Sequence, residues 1–537
     1  MTTRPLLLPT RSLYRGEEPV AIEVRGLDRP AELTVRRDGS IRAAHPVSAP
    51  GMVIVGVLEP GSYGVSLHAA GVQLARSAVQ VKPLGGERSV LRYGFVADYR
   101  PDRSPSDIAA VADNVRRLHL TAVQFYDWAY RHADLLGGGE QYADALGSPV
   151  DLRTVRALIA ACHGAGADAL GYAAVYGVGN GEWPTWAPLA LHDATGAAYG
   201  LGDFLRLVDP AAPAWLDHFG DDLAAAMAQC GFDGFHLDQY GYPKAAARGD
   251  GTLVDVAESF VRLIASVRER LPRARLVFNN VNDFPTWATA RASQDAVYIE
   301  VWEPHRTWAD LAAVVTRARS VAGGLPVVIA AYQQVYAVAA REEADRTTAL
   351  TMATLFSHGA THLLAGEADR VLVDPYYVRN HAAEAGTVEL LARYYDFLTE
   401  HHDLLIPETV VEVTGSLAGS HNDDLDVAYA AAPVTGTAVA GAVWRRITTD
   451  GDALVVHLIN LAGVTDCGWD APQGPAGDPG EGTLRLRRAG RGIPVVYAAD
   501  PDGSGHLEPL QVSVHDTHAI VSLPPLRTWQ LIVVQSR

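Results

Sequence analysis

Two carboxylates stand at the ends of apolar runs, where they are placed for acid, base or nucleophilic chemistry. The segment GFDGFHLDQYG (231–241) runs into Asp238, and AVYIEVWE (296–303) presents Glu300 in the same way. Barrel enzymes keep their catalytic groups at the C-terminal ends of parallel strands. Glycoside cleavage needs two carboxyl groups that flank the scissile bond. We therefore take Asp238 and Glu300 as the candidate catalytic pair.

Acidic, amide and aromatic residues stand at the ends of the neighbouring apolar runs. Indole and phenol faces stack on the C–H faces of sugars, while carboxylates and amides bind the hydroxyls. This combination predicts a carbohydrate cleft. The candidate substrate contacts are Asp98, Tyr126, Asp127, Trp128, Tyr176, Gln239, Asn280, Trp302, Tyr332 and Glu367.

Each carboxylate also has a purely structural interpretation. Asp238 could cap a helix that follows a βα loop, and Glu300 could be the buried partner of an arginine. Glu303 is a rival acid, although it lies beyond the predicted strand and precedes a proline. His236 and Asp238 could ligate a metal, but no third or fourth ligand accompanies them. We expect neither a metal nor a cofactor.

A segment rich in glycine, proline and tryptophan, residues 175–200, follows the third apolar run, and we expect it to form a rim of the cleft. Its two tryptophans, Trp183 and Trp186, could equally pack in the core. The GVGNG stretch (177–181) has glycines but no lysine and no following helix, so it indicates a turn and not a phosphate loop.

Eight β/α units between residues 89 and 405 supply the elements that would hold these side chains. Each strand-like run precedes an amphipathic helical stretch, such as 106–118 or 216–230. This alternation over some 300 residues predicts a (β/α)8 TIM barrel and not an open sheet. The predicted strands are 92–98, 121–127, 168–176, 232–238, 275–280, 296–302, 326–332 and 361–367.

Short β-branched runs separated by turn residues flank the predicted barrel on both sides. They predict a small β-sandwich over residues 1–88 and a second β-sandwich over 406–537. The predicted fold is therefore multidomain. The predicted strands are 19–24, 31–36, 52–57, 63–68 and 76–81 in the first region, and 453–460, 483–488, 493–499, 519–523 and 528–534 in the second.

Composition narrows the classes of partner. The chain has 537 residues, 20% of them charged, with a net charge of −18 and no long basic run. We therefore expect neither nucleic acid nor a membrane as a partner. The three cysteines are too widely spaced for a disulfide framework or a zinc site. No secretory signal is recognisable, which predicts a cytoplasmic protein, or an extracellular one if a leader has been removed. The sequence does not indicate an oligomeric state.

Several sequence blocks resemble glycoside hydrolase family 66, the endo-dextranases and cycloisomaltooligosaccharide glucanotransferases. The blocks follow the same order over most of residues 89–465. They are QFYDWAYRH (124–132), GYAAVYG (171–177), GFDGFHLDQYG (231–241), FNNVND (278–283), YIEVW (298–302), AAYQQ (330–334), HGATHLLAGE (358–367), YYDFLTEHHDLL (394–405) and HLINLAG (457–463).

The resemblance implies an immunoglobulin-like N-terminal domain, a (β/α)8 barrel and a C-terminal β-sandwich. It also implies that Asp238 is the nucleophile and Glu300 the acid/base of an enzyme that retains anomeric configuration at α-1,6-linked glucan. Barrel insertions large enough for a carbohydrate-binding module, common in the glucanotransferases, are absent from the sequence. This departure favours isomaltooligosaccharides or small cyclic sugars over large dextran.

We therefore expect a retaining hydrolase of dextran or isomaltooligosaccharides. The alternative within this chemistry is a transglycosylase that uses the same covalent intermediate to make linear or cyclic isomaltooligosaccharides. Two further alternatives stay open: a barrel enzyme that acts on another α-glucosidic linkage, and a carbohydrate-binding protein without catalytic activity.

Overall fold

A sheet of eight parallel strands lies at the centre of the chain. The computed structural model describes residues 4–535 except 420, 421, 423, 452 and 489–491, so the extreme ends of the two predicted flanking domains lie outside it. All eight predicted barrel strands are present, and most are shorter than predicted. They are β1 (Tyr93–Val96), β2 (Ala122–Phe125), β3 (Asp168–Ala174), β4 (Gly234–Asp238), β5 (Arg275–Asn279), β6 (Ala296–Glu300), β7 (Val327–Ala330) and β8 (Thr361–His362).

Each strand pairs in parallel with the next in sequence, so the order of strands in the sheet, from β1 to β8, is the order along the chain. Its two ends meet, because the Thr361 hydroxyl donates to the Leu91 carbonyl at 2.8 Å and Gly366 lies directly against the backbone of Phe95. A side chain at Gly366 would collide with that backbone. The sheet is therefore a nearly closed barrel, as the alternation of elements predicted.

Helices connect the strands on the outside of the barrel. The predicted helices 106–118 and 216–230 are confirmed with shifts of a few residues. Within the described residues, no helix is both long and apolar enough to cross a bilayer. The connecting helices are α1 (Pro105–Arg117), α2 (Leu152–Gly164), α3 (Pro213–Cys230), α4 (Val256–Arg270), α5 (Thr286–Thr289), α6 (Trp308–Val321), α7 (Arg341–His358) and α8 (Ala385–Glu400).

Two glycines set the entry into β4, the strand that carries Asp238. Gly231 ends α3 with φ +90°, a left-handed conformation that glycine adopts without steric cost. Gly234 begins β4 so close to Arg275 of β5 that a Cβ atom would overlap the arginine backbone. This close approach packs β4 against β5, and it fixes where the last residues of both strands lie.

The barrel loops contain short β-ladders and single turns of helix that build its upper face. One ladder joins residues of the segment 175–200, which was predicted to form a rim, to Leu205–Leu207. The ladder strands are Gln141–Ala143 with Pro149–Asp151, Gly177–Gly179 with Leu205–Leu207 and Gly200–Leu201, Ala245–Ala247 with Leu253–Asp255, and Arg370–Val371 with His381–Ala382. The short helices of these loops are Trp183–Trp186 and Val335–Val338, while a third, His402–Leu405, follows α8 at the opposite end of the barrel, where Leu405 lies against Gly359.

Two sheets around one apolar cluster precede the barrel. All five strands predicted here are present, and Ser40–Val47 is an additional strand that its mostly exposed residues concealed. One sheet contains Leu6–Pro9, Pro19–Arg25 and Gly51–Val57. The other contains Tyr14–Arg15, Val72–Lys82, Gly61–Ala69, Ala31–Arg37 and Ser40–Val47.

Two further sheets around a separate apolar cluster follow the barrel. The five predicted strands are present, with Leu425–Tyr429 and Val443–Asp450 as the longest additions; a short helix, Thr414–Leu417, precedes them. One sheet contains Val411–Glu412, Val443–Asp450, Ala453–Asn460, Trp529–Gln535, Val495–Ala499, Glu508–Leu510 and Val434–Thr435. The other contains Leu425–Tyr429, Gly482–Arg487, His518–Leu523 and Val512–His515.

A buried arginine joins the N-terminal sheets to the barrel. The guanidinium of Arg92 donates to the Ser12 carbonyl at 3.0 Å, to the Gln80 side chain at 2.7 Å and to the His119 carbonyl. Burial lowers the pKa of Arg92 to about 9, so it stays charged at neutral pH. A charged group this deeply buried is stable only while its hydrogen-bond acceptors stay in place. The three acceptors lie in different segments of the chain, so Arg92 links the N-terminal region to the barrel.

Replacing this arginine should destabilise the protein strongly. Arg92→Met leaves three buried acceptors without their donor, and removing one partner of a buried charged network typically costs about 3–5 kcal/mol. Urea unfolding would show a lower transition midpoint. The matched control is Arg262→Met, which removes an exposed helix pair with Glu258 that is worth under about 0.5 kcal/mol. Equal midpoints for the two variants would contradict this role for Arg92.

Candidate active site

Asp238 and Glu300 share one hydrogen-bond donor. The Nδ2 group of Asn279 donates to Oδ1 of Asp238 at 2.6 Å and to Oε2 of Glu300 at 2.7 Å. Since both bonds meet at a single nitrogen, these two oxygens lie at most about 5.3 Å apart, the sum of the two lengths. The two candidate catalytic carboxylates therefore form one closely spaced pair.

The other oxygen of each carboxylate also has a donor. The hydroxyl of Tyr172 donates to Oδ2 of Asp238 at 2.7 Å, and the indole Nε1 of Trp302 donates to Oε1 of Glu300 at 2.8 Å. With all four oxygens engaged, both side chains are held in a fixed orientation. Each carboxylate thus has a donor of its own as well as the shared one.

Three consecutive strands place this cluster. Asp238, Asn279 and Glu300 are the last residues of β4, β5 and β6. Side chains alternate between the two faces of a strand, so strand-end residues on neighbouring strands can all face the barrel axis. The cluster therefore follows from where the three strands end.

Both carboxylates are harder to ionise than usual. Burial raises the pKa of Asp238 to about 6, against the opposing effect of the bonds from Asn279 and Tyr172. Burial and the nearby charge of Asp238 raise the pKa of Glu300 to about 7. Near neutral pH the pair can hold one proton, and Glu300 is its more basic member.

The pair lies on the wall of a pocket at the C-terminal end of the barrel. The pocket contains about 860 Å³ of space, part of it open to solvent. Its walls carry acidic and aromatic side chains, and none of the described residues that line it is a lysine or an arginine. The lining residues are Gln124, Tyr126, Asp127, His132, Leu146, Tyr172, Leu201, Phe204, Leu205, His236, Asp238, Gln239, Tyr240, Asn279, Val281, Tyr298, Glu300, Trp302, Tyr332, Pro375, Tyr376 and Tyr377.

Five of the ten predicted substrate contacts line this pocket: Tyr126, Asp127, Gln239, Trp302 and Tyr332. Trp302 is the most accessible of them, with 39% of its surface exposed, and it packs against Tyr332. Gln239 is buried, and its amide donates to the carbonyls of Asn279 and Phe284. This glutamine therefore holds the loop behind the pair.

Three predicted contacts lie in the core and not at the pocket: Trp128, Tyr176 and Asn280. All three are fully buried, and each is bonded to the main chain, at Tyr172, Tyr242 and several neighbouring carbonyls respectively. Trp128 and Asn280 each follow a pocket residue in sequence. Successive side chains on an extended chain point to opposite sides, and this alternation turns Asn280, directly after the end of β5, away from the cleft.

The remaining two, Asp98 and Glu367, lie in a separate pocket near β1 and β8. Glu367 forms a buried ion pair with Arg103, and it also accepts from the backbone N–H groups of Ala97 and Asp98. Asp98 binds the guanidinium of Arg100 through both of its oxygens. Neither carboxylate lines the pocket that holds Asp238 and Glu300.

A family model with the description "Glycosyl hydrolase family 66" matches residues 72–533, which is most of the chain. The chain belongs to glycosyl hydrolase family 66. The resemblance that the sequence blocks indicated is therefore confirmed.

Relatives of this family 66 protein include two cycloisomaltooligosaccharide glucanotransferases of Niallia circulans. They are 26% identical over 266 and 332 residues, which are 45% and 56% of this chain. The matched parts are 28% and 34% of the relatives' own lengths, so the chain spans about a third of each.

Solved structures show the same fold over a longer range. A cycloisomaltooligosaccharide glucanotransferase from Paenibacillus sp., complexed with cycloisomaltoheptaose, superposes with a TM-score of 0.86 at 18% identity. The superposition covers 98% of this chain and 99% of that one. An α-amylase from Geobacillus thermoleovorans superposes with a TM-score of 0.54 at 11% identity, over 83% of this chain and 98% of that one. At these identities the likeness concerns the fold alone.

The structural interpretations of the two carboxylates do not fit their surroundings. The next helix after Asp238 is α4, whose N-terminal cap is Asp255, so Asp238 caps none. Glu300 has no arginine partner within the described residues. Glu303 is exposed at the surface and paired with Arg306.

The other open interpretations concern metal and the rim tryptophans. His236 lies between the rings of Tyr172 and Tyr298, and burial lowers its pKa to about 3. No group of three potential ligands occurs among the described residues of this family 66 protein. Trp183 and Trp186 pack against the barrel core and do not line the pocket.

Sequence reasoning missed two of the three side chains that donate to the carboxylates, Asn279 and Tyr172. Asn279 lies within the predicted strand 275–280, but the predicted contact is its neighbour Asn280. Ala174 of β3 pairs with Asp238 of β4, and Tyr172 pairs with His236. Because every second residue of a strand faces the same side, counting back two residues from Ala174 would have found Tyr172. The bridging role of Asn279 additionally requires the registers of β4, β5 and β6.

Asp127 combines two unusual features. Its backbone has φ +46°, a left-handed conformation that is strained for aspartate. Burial, together with Asp144 and Asp238, raises its pKa to about 8. Strained residues of this kind are concentrated at binding and catalytic sites. The side chain lines the pocket next to the pair, so a protonated Asp127 can donate a hydrogen bond there.

The different positions of Trp128 and Trp302 predict different stability effects. Trp128→Ala removes a fully buried indole and should cost about 3–5 kcal/mol of unfolding free energy. Trp302→Ala removes a partly exposed one and should cost under about 1 kcal/mol. Chemical denaturation of the two variants measures both. A loss for Trp302→Ala as large as that for Trp128→Ala would place both indoles in the core.

Proposed function

We propose that this family 66 protein hydrolyses α-1,6-glucosidic bonds in dextran or isomaltooligosaccharides, with retention of configuration. The shared Asn279 donor carries the mechanistic part of the proposal, because it keeps the carboxylate oxygens within about 5.3 Å of each other. Retaining enzymes hold their carboxyl groups about 5–5.5 Å apart, whereas inverting enzymes leave about 6.5–9.5 Å for a water molecule.

In the proposed first step, Asp238 attacks the anomeric carbon while Glu300 donates its proton to the departing O6. The C1–O6 bond breaks as the bond between C1 and Asp238 forms. In the second step Glu300, now ionised, takes a proton from water, and that water displaces Asp238 from C1. The pKa values support this division, since Glu300 is the more basic of the two carboxyls.

Two observations support an α-1,6-glucan as the substrate. The pocket has aromatic walls, and no lysine or arginine is among its described lining residues, which suits a neutral sugar. The Niallia circulans relatives and the Paenibacillus sp. structure are named for cycloisomaltooligosaccharides.

We also propose that both flanking regions are β-sandwiches, because each pair of sheets encloses one apolar cluster. The N-terminal pair of sheets would be the immunoglobulin-like domain.

A second candidate function is glycosyl transfer through the same intermediate. The names of both Niallia circulans relatives and of the Paenibacillus sp. protein favour it, because all three are glucanotransferases. Hydrolysis and transfer differ in whether water or a sugar hydroxyl reaches C1 in the second step. Mass spectrometry of the products separates them. Short linear products indicate hydrolysis, and products that are longer than the substrate or cyclic indicate transfer.

Neutralising either carboxylate should abolish activity. Asp238→Asn removes the nucleophile and Glu300→Gln removes the proton donor, so each variant should retain under about 1% of the wild-type rate on isomaltooligosaccharides. Glu303→Gln is the matched control, because it neutralises a surface carboxylate three residues from Glu300 and should stay active. A catalytic variant that kept more than a tenth of the rate would lose its assigned role.

Proton NMR during the first minutes of turnover tests the stereochemistry. Retention releases the α-anomer first, and the β-anomer appears only through mutarotation. Initial release of the β-anomer would mean direct attack by water, and it would rule out Asp238 as a covalent nucleophile.

The rate should depend on pH as a narrow bell. Asp238 must be ionised, so kcat/KM rises as pH passes its pKa of about 6. Glu300 must be protonated, so kcat/KM falls as pH passes its pKa of about 7. Tyr172→Phe removes a bond that favours ionised Asp238, and it should move the acid limb to higher pH. Trp302→Phe should instead move the alkaline limb to higher pH. Unchanged limbs in both variants would contradict these assignments.

A further inference from the structure

A second pocket adjoins the first on the same face of the barrel. It contains about 1170 Å³ of space, part of it open to solvent, and lies over the ends of β1 and β8. Two chain segments contribute to both pockets. Leu146 and Tyr377 line the first pocket, while Ser148 and Val378 line the second. Tyr377 and Val378 are consecutive, with Cα atoms about 3.8 Å apart, so the two pockets lie side by side at this segment.

The charges around the second pocket balance. Its walls carry three arginines and three carboxylates, namely Arg100, Arg103, Arg370, Asp98, Asp107 and Glu367. Such a surface offers many donors and acceptors without a net charge, which suits a neutral polyhydroxylated ligand better than an anion. A phosphate or carboxylate ligand would meet three carboxylates at close range.

Part of this polar surface is available for a ligand. Arg103 and Glu367 bind each other in the wall, and Arg100 binds Asp98. Arg370 is exposed and forms no ion pair within the described residues. The pocket therefore has both a formed wall and unused donors.

We propose that the second pocket binds the distal glucose units of a glucan whose reacting unit occupies the first pocket. This inference rests on the proposed α-1,6-glucanase function and extends it to the recognition of chain length. A chain that leaves the first pocket between Leu146 and Tyr377 meets the second pocket at once. Asp98 would then contact substrate, as the sequence predicted, but far from the reacting bond.

Helix α1 offers a matched pair of variants. Ala110 lines the second pocket, and Ala109 is an equally exposed neighbour on the same helix that does not. Ala110→Trp should fill the pocket, while Ala109→Trp carries the same change in helix propensity without filling it. Neither residue is near the catalytic pair. Arg370→Ala is a third variant, which removes a donor without adding bulk.

The measurement is kcat/KM on purified isomaltooligosaccharides of increasing length, from the shortest that the wild type cleaves to isomaltoheptaose. For the wild type and Ala109→Trp, kcat/KM should rise with length. Ala110→Trp should match them on the shortest substrate and lose about 10-fold on the longest, mainly through KM, because one or two lost polar contacts amount to about a factor of ten. Arg370→Ala should show the same pattern with a smaller loss.

Three results would overturn the inference in distinguishable ways. Equal length profiles for Ala110→Trp, Arg370→Ala and Ala109→Trp, with an active wild type, would refute the second pocket alone. A wild type without activity on every isomaltooligosaccharide and on dextran would refute the proposed function, and the inference would fall with it. A loss for Ala110→Trp that was equal at all lengths would indicate a general defect and would also contradict selective binding of distal units.

Discussion

One amide group holds the candidate active site together. Two carboxylates as close as Asp238 and Glu300 repel each other when both are ionised, and in a buried site this repulsion is strong. The Nδ2 group of Asn279 places a hydrogen atom toward each of them. The amide can reach both carboxylates only if β4, β5 and β6 end at the same level along the barrel axis. The geometry of the barrel therefore sets the spacing of the two carboxylates.

Burial and hydrogen bonding act on the pair in opposite directions. Loss of water raises the pKa of both carboxyls, while the donors Tyr172, Asn279 and Trp302 favour their ionised forms. The charge of Asp238 acts on Glu300 in addition, which leaves Glu300 the more basic of the two. An acid and a nucleophile can therefore coexist at one pH because their surroundings differ, although both are ordinary carboxyl groups.

The rest of the molecule supports this site from a distance. The N-terminal sheets are joined to the bottom of the barrel through Arg92, and the C-terminal sheets reach the upper face, where the side chain of Asp470 accepts from the backbone N–H of Val335 after β7. The strained backbone of Asp127 persists within the same framework. A rigid scaffold of this kind can hold polar groups in positions that they would not adopt in a flexible loop.

The sequence by itself determined the barrel and the two carboxylates. Eight apolar runs in alternation with amphipathic helices allow few other folds, and Asp238 and Glu300 stand at the ends of such runs. Sequence blocks around both residues also identified the family. These features are local, because burial of a strand and its end can be read from consecutive residues.

Only the tertiary structure decided which neighbouring side chains face the pair. Trp128, Tyr176 and Asn280 were expected in the cleft and lie in the core, while Tyr172 and Asn279 contact the carboxylates. A shift of one residue in where a strand ends moves a side chain to the opposite face, and sequence patterns do not locate strand ends that closely. Asp98 and Glu367 likewise stand at strand ends, but Arg100 and Arg103 bind them in a second pocket. The pair of Glu367 with Arg103 joins residues 264 apart in the sequence, and only the folded barrel brings these two together.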